Sequence, residues 1–135
     1  MTIALTTAII CTAILAAMLF LLGFNVSRLR GVTAKAGGSQ FPSDPASRLL
    51  IAIRAHGNAA EYIPVLIVLF LLVGDRGPAA VAIPLIIGAT AARVAHAYGL
   101  LTAPSLAVQT KARLAGAAGT YLLGVGLAVA AAFTL

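Results

Sequence analysis

Three segments hold most of the polar chemistry of an otherwise apolar chain: "RAHGNAAEY" at residues 54–62, "RVAHAYG" at residues 93–99 and "KARLAG" at residues 111–116. At about 100° of helical rotation per residue, Arg54, Asn58 and Glu61 fall within roughly 60° of one another, with Tyr62 at the edge of their stripe. A guanidinium, a carboxamide and a carboxylate on one face suit a small zwitterionic or anionic ligand. Arg54 would hold a carboxylate, Glu61 an ammonium and Asn58 an amide, all by complementary, mostly charge-assisted contacts. The plainer alternative is polar glue, with Arg54 and Glu61 paired to each other or to Arg93. His56 points away from the stripe, so this helix presents polar groups in two directions.

In the second segment Arg93 and His96 share a helical face and Tyr98 lies across from them. No second ligand sits at metal spacing to His56 or His96 and no cysteine is near, so no metal is expected. A lone histidine at membrane depth more often hydrogen-bonds a neighbour. In the third segment Arg113 stands just before an apolar run, where a snorkelling anchor and an electrostatic role in catalysis are both compatible with its place.

The elements that position these residues follow from composition. Of 135 residues 61% are apolar and 9% charged, with a mean hydropathy of +1.08, which excludes an ordinary soluble globule. A hydrocarbon core of about 30 Å needs roughly 20 helical residues. Four windows qualify: residues 2–24, 49–73, 78–98 and about 114–135. The runs are continuous and rich in Ala and Leu, whereas a barrel strand alternates over about ten residues. The expected fold is therefore all-α, an integral membrane four-helix bundle in a single domain, with helices at about 2–24, 45–73, 78–98 and 106–134. The opening "MTIALTTAII" lacks a basic leader and runs too long for a signal peptide, so it is read as a helix. Cys11 is the only cysteine, which rules out an intramolecular disulfide and leaves it as a small core residue.

The net charge of +6 does not form a basic patch with interleaved aromatics, so no nucleic acid is expected. Arg28, Arg30, Lys35 and Arg48 flank the first connection and Lys111 and Arg113 the third, while the second, "GDRGP", is balanced. By the positive-inside rule the first and third connections face the cytoplasm and both termini the opposite side. The first connection, marked by Gly37, Gly38, Pro42 and Pro45, is read as irregular. Asp44 before Pro45 suggests an N-cap and first helical position, so the second helix is expected to start near Pro45. Such a helix, roughly 43 Å long, protrudes from the membrane. Arg54 then sits at the headgroup boundary and Glu61 roughly 10 Å deeper. Ionisable groups at that depth cost about 2.5 to 3.5 kcal/mol each, so something must compensate them. Pro64 and Pro84 lie inside the second and third helices, where each removes an amide and frees a carbonyl; a kink that widens a cavity and simple packing are both compatible with their places. Gly116, Thr120 and Gly124 form a small-residue stripe for close helix packing.

"RAHGNAAEYIP", "RVAHAYG" and "RLAG" together resemble the MAPEG family, membrane-associated proteins of eicosanoid and glutathione metabolism, in a bacterial-type form. The resemblance covers nearly the whole chain. It implies a homotrimer binding glutathione in interfacial clefts near the cytoplasmic side, in an inner membrane. By position it implies glutathione contacts from Arg54, Asn58, Glu61 and Tyr62, and from His56 toward a neighbouring subunit's ligand. It extends these contacts to Arg93 and Tyr98, and to a first-loop arginine, Arg28 or Arg30. Arg113 matches the arginine proposed to stabilise the glutathione thiolate. Leu114 stands where the prostaglandin E synthase branch has a serine, which argues against that isomerase activity.

The activity implied is a glutathione transferase, with peroxidase chemistry as a related possibility, acting on lipophilic electrophiles that arrive from the bilayer lipids. One alternative is a non-catalytic lipid- or thiol-binding protein of the same fold. Another is a small proton-coupled transporter in which Glu61 titrates. Against the transporter, Glu61 comes with Arg54 and Asn58, and aromatics are only 6%.

Overall fold

Four long helices account for most of the chain: α1 Ile3–Lys35, α2 Arg48–Arg76, α3 Ala79–Leu101 and α4 Lys111–Ala132. The structure is a computed structural model and describes residues 1–134. Each helix is long and apolar enough to cross a membrane, and the chain is an integral membrane protein. Large side chains such as Phe20, Phe24, Leu122 and Phe133 are exposed, as expected of surfaces that face lipid.

Local chemistry sets the helix ends. The hydroxyls of Thr2, Ser47 and Thr110 accept the amides of Leu5, Leu50 and Arg113 at 3.1, 3.4 and 3.2 Å, capping α1, α2 and α4. Gly37, at φ 69°, turns the chain out of α1, and the Gly38 amide closes the turn on the Thr33 carbonyl at 2.9 Å. Gly77 and Pro78 alone separate α2 from α3.

Four expected boundaries are corrected. The first helix does not end near residue 24 but runs to Lys35: Asn25–Lys35 is too polar to register as a span, yet it contains no proline, and Arg28, Leu29, Arg30, Ala34 and Lys35 favour helix before Gly37 turns the chain. Those eleven residues add roughly 16 Å of helix beyond the apolar run and shorten the irregular connection to residues 36–47. The second helix does not start at Pro45. Asp44 instead accepts the Ala46 amide at 2.9 Å in a turn, and the Pro45 carbonyl is taken by the Leu106 amide at 2.9 Å. The cap therefore falls to Ser47. That same Pro45–Leu106 bond ties the first and third connections together at one end of the bundle. The last helix begins at Lys111 instead of residue 106, because residues 105–108 form a turn ahead of the Thr110 cap. The third helix runs on to Leu101, three residues past its expected end.

Packing is closest between α1 and α2 and between α3 and α4, with α2 contacting both α3 and α4. The α3–α4 seam depends on glycines. A Cβ at Gly116 would come within 2.5 Å of the His96 amide nitrogen and 2.6 Å of the Ala92 carbonyl, and one at Gly99 would collide with the Arg113 backbone. Gly124, the third member of the expected stripe, meets only the Leu66 side chain, at 4.0 Å. Close approach is thus a property of the Gly116 end, which brings His96 of α3 against Arg113 of α4. Pro64 and Pro84 lie within continuous helices and are both exposed, outside the cavities described below.

Candidate functional site

At the end of the bundle where the first and third connections meet, a cavity of about 420 Å³ opens between α2, α3 and α4. Arg54 and Asn58 reach it from α2, His96 from α3, Arg113, Ala117 and Tyr121 from α4, and Gln109 from the loop before α4. Beside it lies an apolar groove of about 410 Å³, lined by Glu61, Tyr62, Val65 and Leu69 of α2 and by Thr120, Tyr121, Gly124 and Val125 of α4. Tyr121 belongs to both. Its hydroxyl is 3.3 Å from that of Tyr62, and the two rings meet edge to face with centroids 5.8 Å apart.

Beneath this pair lies the most unusual group in the molecule. Arg93 is 1% exposed and, among the described residues, has no carboxylate within ion-pairing distance. One terminal nitrogen donates to Asn58 Oδ1 at 2.8 Å and the other to Thr120 Oγ1 at 3.4 Å, while Nε has no partner. The guanidinium carbon lies 5.2 Å from the Tyr62 ring centroid, a cation–π arrangement. Among the described residues the one ion pair is Asp75–Arg76, exposed at the opposite end of α2. Polar glue between Arg54, Glu61 and Arg93 is therefore not what is observed: Arg93 is held by an amide, a hydroxyl and an aromatic face. A buried cation without a counterion carries a large desolvation cost, and an anionic ligand would relieve it.

Arg113 is half-buried. Its side chain donates to the Leu106 carbonyl at 3.0 Å, and its own carbonyl is bonded by His96 Nδ1 at 3.0 Å. Its guanidinium is thus braced by the loop while still lining the cavity.

Of the residues singled out in the sequence, the structure brings Arg54, Asn58 and Arg113 to one cavity, with Arg93 behind Asn58. Glu61 and Tyr62 line the adjoining groove. His56 lies on the opposite side of α2, where its ring abuts Gly23, in a surface hollow with Ser27 and Arg30. Arg28 is exposed and donates to Asn25 Oδ1 at 2.9 Å. Tyr98 is 63% exposed and faces an apolar surface groove with Cys11, Ile14 and Val94, apart from the polar cavity. Sequence reading did not single out Gln109 or Tyr121 and gave His96 no part in a site. A signal existed for two of them. His96 is one turn from Arg93, and Arg113, Ala117 and Tyr121 recur at spacing four along one side of α4. Gln109, in a loop, has no such signal. Among the described residues no three His, Cys, Asp or Glu side chains cluster as a metal site would require.

Four membrane helices enclosing an arginine-lined cavity beside an apolar groove define a membrane protein suited to an anionic polar ligand and a lipophilic one. The chain belongs to the MAPEG family, whose profile matches residues 8–133. That family includes glutathione transferases and related enzymes. No curated protein and no solved structure gives a significant match.

Proposed function

We propose that the protein is a membrane-bound glutathione transferase that joins the glutathione thiolate to lipophilic electrophiles; its related peroxidase activity would reduce a lipid hydroperoxide to the alcohol and water while two glutathiones are oxidised to the disulfide. The observation that carries this reading is the juxtaposition of a cationic cavity, containing Arg54 and Arg113 with Arg93 buried behind, and an apolar groove that shares Tyr121 with it. Glutathione brings two carboxylates and an ammonium. Arg54, Asn58, Arg93 and Tyr62 bind its anionic and amide groups, and Glu61 its ammonium. Arg113 faces the sulfur. A thiol with an ordinary pKa of about 8.5 is mostly protonated at neutral pH, and a guanidinium beside it favours the thiolate. The groove admits the electrophile from the bilayer.

The same reading makes the protein a homotrimer. Glu61 is exposed on a membrane helix with no cation in ion-pairing range among the described residues, and His56 and Arg30 lie in a largely apolar hollow open to the side. A second copy packed on these faces removes an ionisable group from lipid, and His56 with Arg28 or Arg30 then reaches the neighbour's ligand. Tyr98 contributes from the outer face of α3. The basic connections lie in the cytoplasm and the termini across an inner membrane.

Turnover of a chloronitrobenzene with glutathione by the purified protein in mild detergent tests the proposal, and native mass spectrometry in the same detergent tests the trimer. Glutathione binding without turnover of this substrate or of a hydroperoxide would instead mark a non-catalytic binding protein. Monomers alone would sink the assembly.

A further inference from the structure

We propose that His96 is the base that takes the thiol proton, a role distinct from that of Arg113; the inference rests on the transferase reading above. Its first support is the hydrogen bond between His96 Nδ1 and the backbone carbonyl of Arg113, at 3.0 Å. A carbonyl only accepts, so Nδ1 must carry the hydrogen. In the neutral ring Nε2 is then left with its lone pair free. Among the described residues Nε2 has no hydrogen-bond partner, and it is not one of the sealed, unpartnered polar atoms, which are Thr12 Oγ1 and Arg93 Nε. The ring lines the polar cavity, so this lone pair is available to a ligand there.

The second support is elimination. Ionising a thiol at neutral pH needs somewhere for the proton to go. Arg54 and Arg113 are donors without a lone pair to offer, and the Asn58 and Gln109 amides are not bases. A phenol such as that of Tyr121 is an acid, not a base. The chain has three carboxylates, and none lines the cavity: Asp44 sits in its turn, Asp75 at the far end of α2 and Glu61 in the adjoining groove. Among the described residues His96 is the one cavity side chain able to accept a proton near neutrality. The charged groups around it are Arg93 on its own helix, Arg113 on α4 and Arg54 on α2, all cations.

The step balances as follows. The S–H bond breaks, its electron pair remains on sulfur opposite the Arg113 guanidinium, and the proton forms an N–H bond at His96 Nε2. Nε2 then releases the proton to water at the open mouth of the cavity, restoring the neutral ring. The thiolate forms a C–S bond with the electrophile as the leaving group departs with its electron pair. Arg113 thus sets how much thiolate exists at equilibrium, and His96 sets how fast it appears.

The test is stopped-flow mixing of the purified protein with glutathione at pH 7 in dilute buffer, following ultraviolet thiolate absorbance and proton release to an indicator. His96→Asn keeps an N–H where Nδ1 donates to the Arg113 carbonyl and removes only the base. It should slow thiolate formation by at least about tenfold while preserving the final amplitude, the size of effect usual for loss of a general base. In His96→Ala, free imidazole should restore the rate in proportion to its concentration. An unchanged rate in His96→Asn overturns the proposal. So does a lost amplitude in that variant, which would mean that the histidine merely holds Arg113 in place. If the wild-type protein forms no thiolate although it binds glutathione, the transferase reading itself fails, and this inference with it.

Discussion

The polar cavity and the apolar groove beside it are built from the same two helices, α2 and α4, yet they are finished to different degrees. At the cavity several polar groups are braced: Asn58 by the buried Arg93, which Thr120 also holds, Arg113 by the Leu106 carbonyl and His96 by the Arg113 carbonyl. In the groove Glu61 has no ion-pair partner among the described residues and, beyond the Tyr62–Tyr121 pair and Thr120, the walls are aliphatic. The difference teaches that one region is organised before any ligand arrives, whereas the other takes its form from what covers it. Preorganised donors act on developing charge without the cost of reorganising at the moment of reaction. A loose apolar wall accepts lipophilic molecules of varied shape.

The sharpest way to break this contrast is to remove the buried cation. Arg93→Leu leaves Asn58 and Thr120 without their donor and withdraws the charge that an anionic ligand would neutralise. Glutathione affinity should fall by about 2 to 5 kcal/mol, the range for truncating one partner of a buried, hydrogen-bonded charge pair. Isothermal titration checks it, with native mass spectrometry to confirm that assembly survives. Affinity within about threefold of wild type would show that Arg93 serves packing alone.

Next in size is Arg113→Ala. A contact that strengthens as charge develops on sulfur lowers the barrier more than it tightens binding. Turnover should drop roughly a hundredfold while the dissociation constant stays within about tenfold. The sign for the ligand follows directly: without the guanidinium the bound thiol ionises at higher pH, so the thiolate absorbance curve moves up the pH axis. A curve that does not move would pass the role to another arginine, Arg93 or the first-loop Arg28 and Arg30.

Glu61 sharpens the comparison from the other side. On the sequence it shares a stripe with Arg54 and Asn58, but the cavity lining includes those two and not Glu61. If a neighbouring subunit and the ligand ammonium close over it, Glu61→Gln should weaken glutathione binding by about 2 kcal/mol, the low end for a desolvated charge partner. If it merely faces solvent at the groove mouth, titration will show a change near zero.

This division explains what the sequence could and could not reveal. The four spans were legible because hydrophobic runs of membrane length have few other readings, and Arg54, Asn58 and Arg113 stood out as charges or amides that an apolar helix does not tolerate idly. The helical extension of α1 was hidden because Asn25–Lys35 is too polar to register as a span, so hydropathy assigns it to a loop although no proline interrupts the helix before Gly37. The start of α2 was misread because the competing use of the Pro45 carbonyl comes from Leu106, far away in sequence. The part His96 plays was invisible for a similar reason. Its tautomer depends on a carbonyl of another helix, and that helix comes close enough only because Gly116 lacks a side chain.

The smallest expected effect concerns Tyr121, the residue that separates the two regions. Its hydroxyl meets that of Tyr62 at 3.3 Å in an exposed setting, and a hydrogen bond of that kind contributes at most about 1 kcal/mol net. Tyr121→Phe keeps the edge-to-face ring contact with Tyr62, so stability and glutathione affinity should both stay within about threefold of wild type. Tyr121→Leu removes the ring itself and with it the partition between cavity and groove. Its signature should be selective: KM for a long-chain electrophile changes several-fold while the glutathione dissociation constant barely moves, because the thiol ligand rests on Arg54, Arg93 and Arg113. Steady-state kinetics with one compact aromatic and one long-chain substrate separates the cases. Equal changes for both substrates would mean that the lipophilic partner does not pass Tyr121, and the groove between α2 and α4 would lose its assignment.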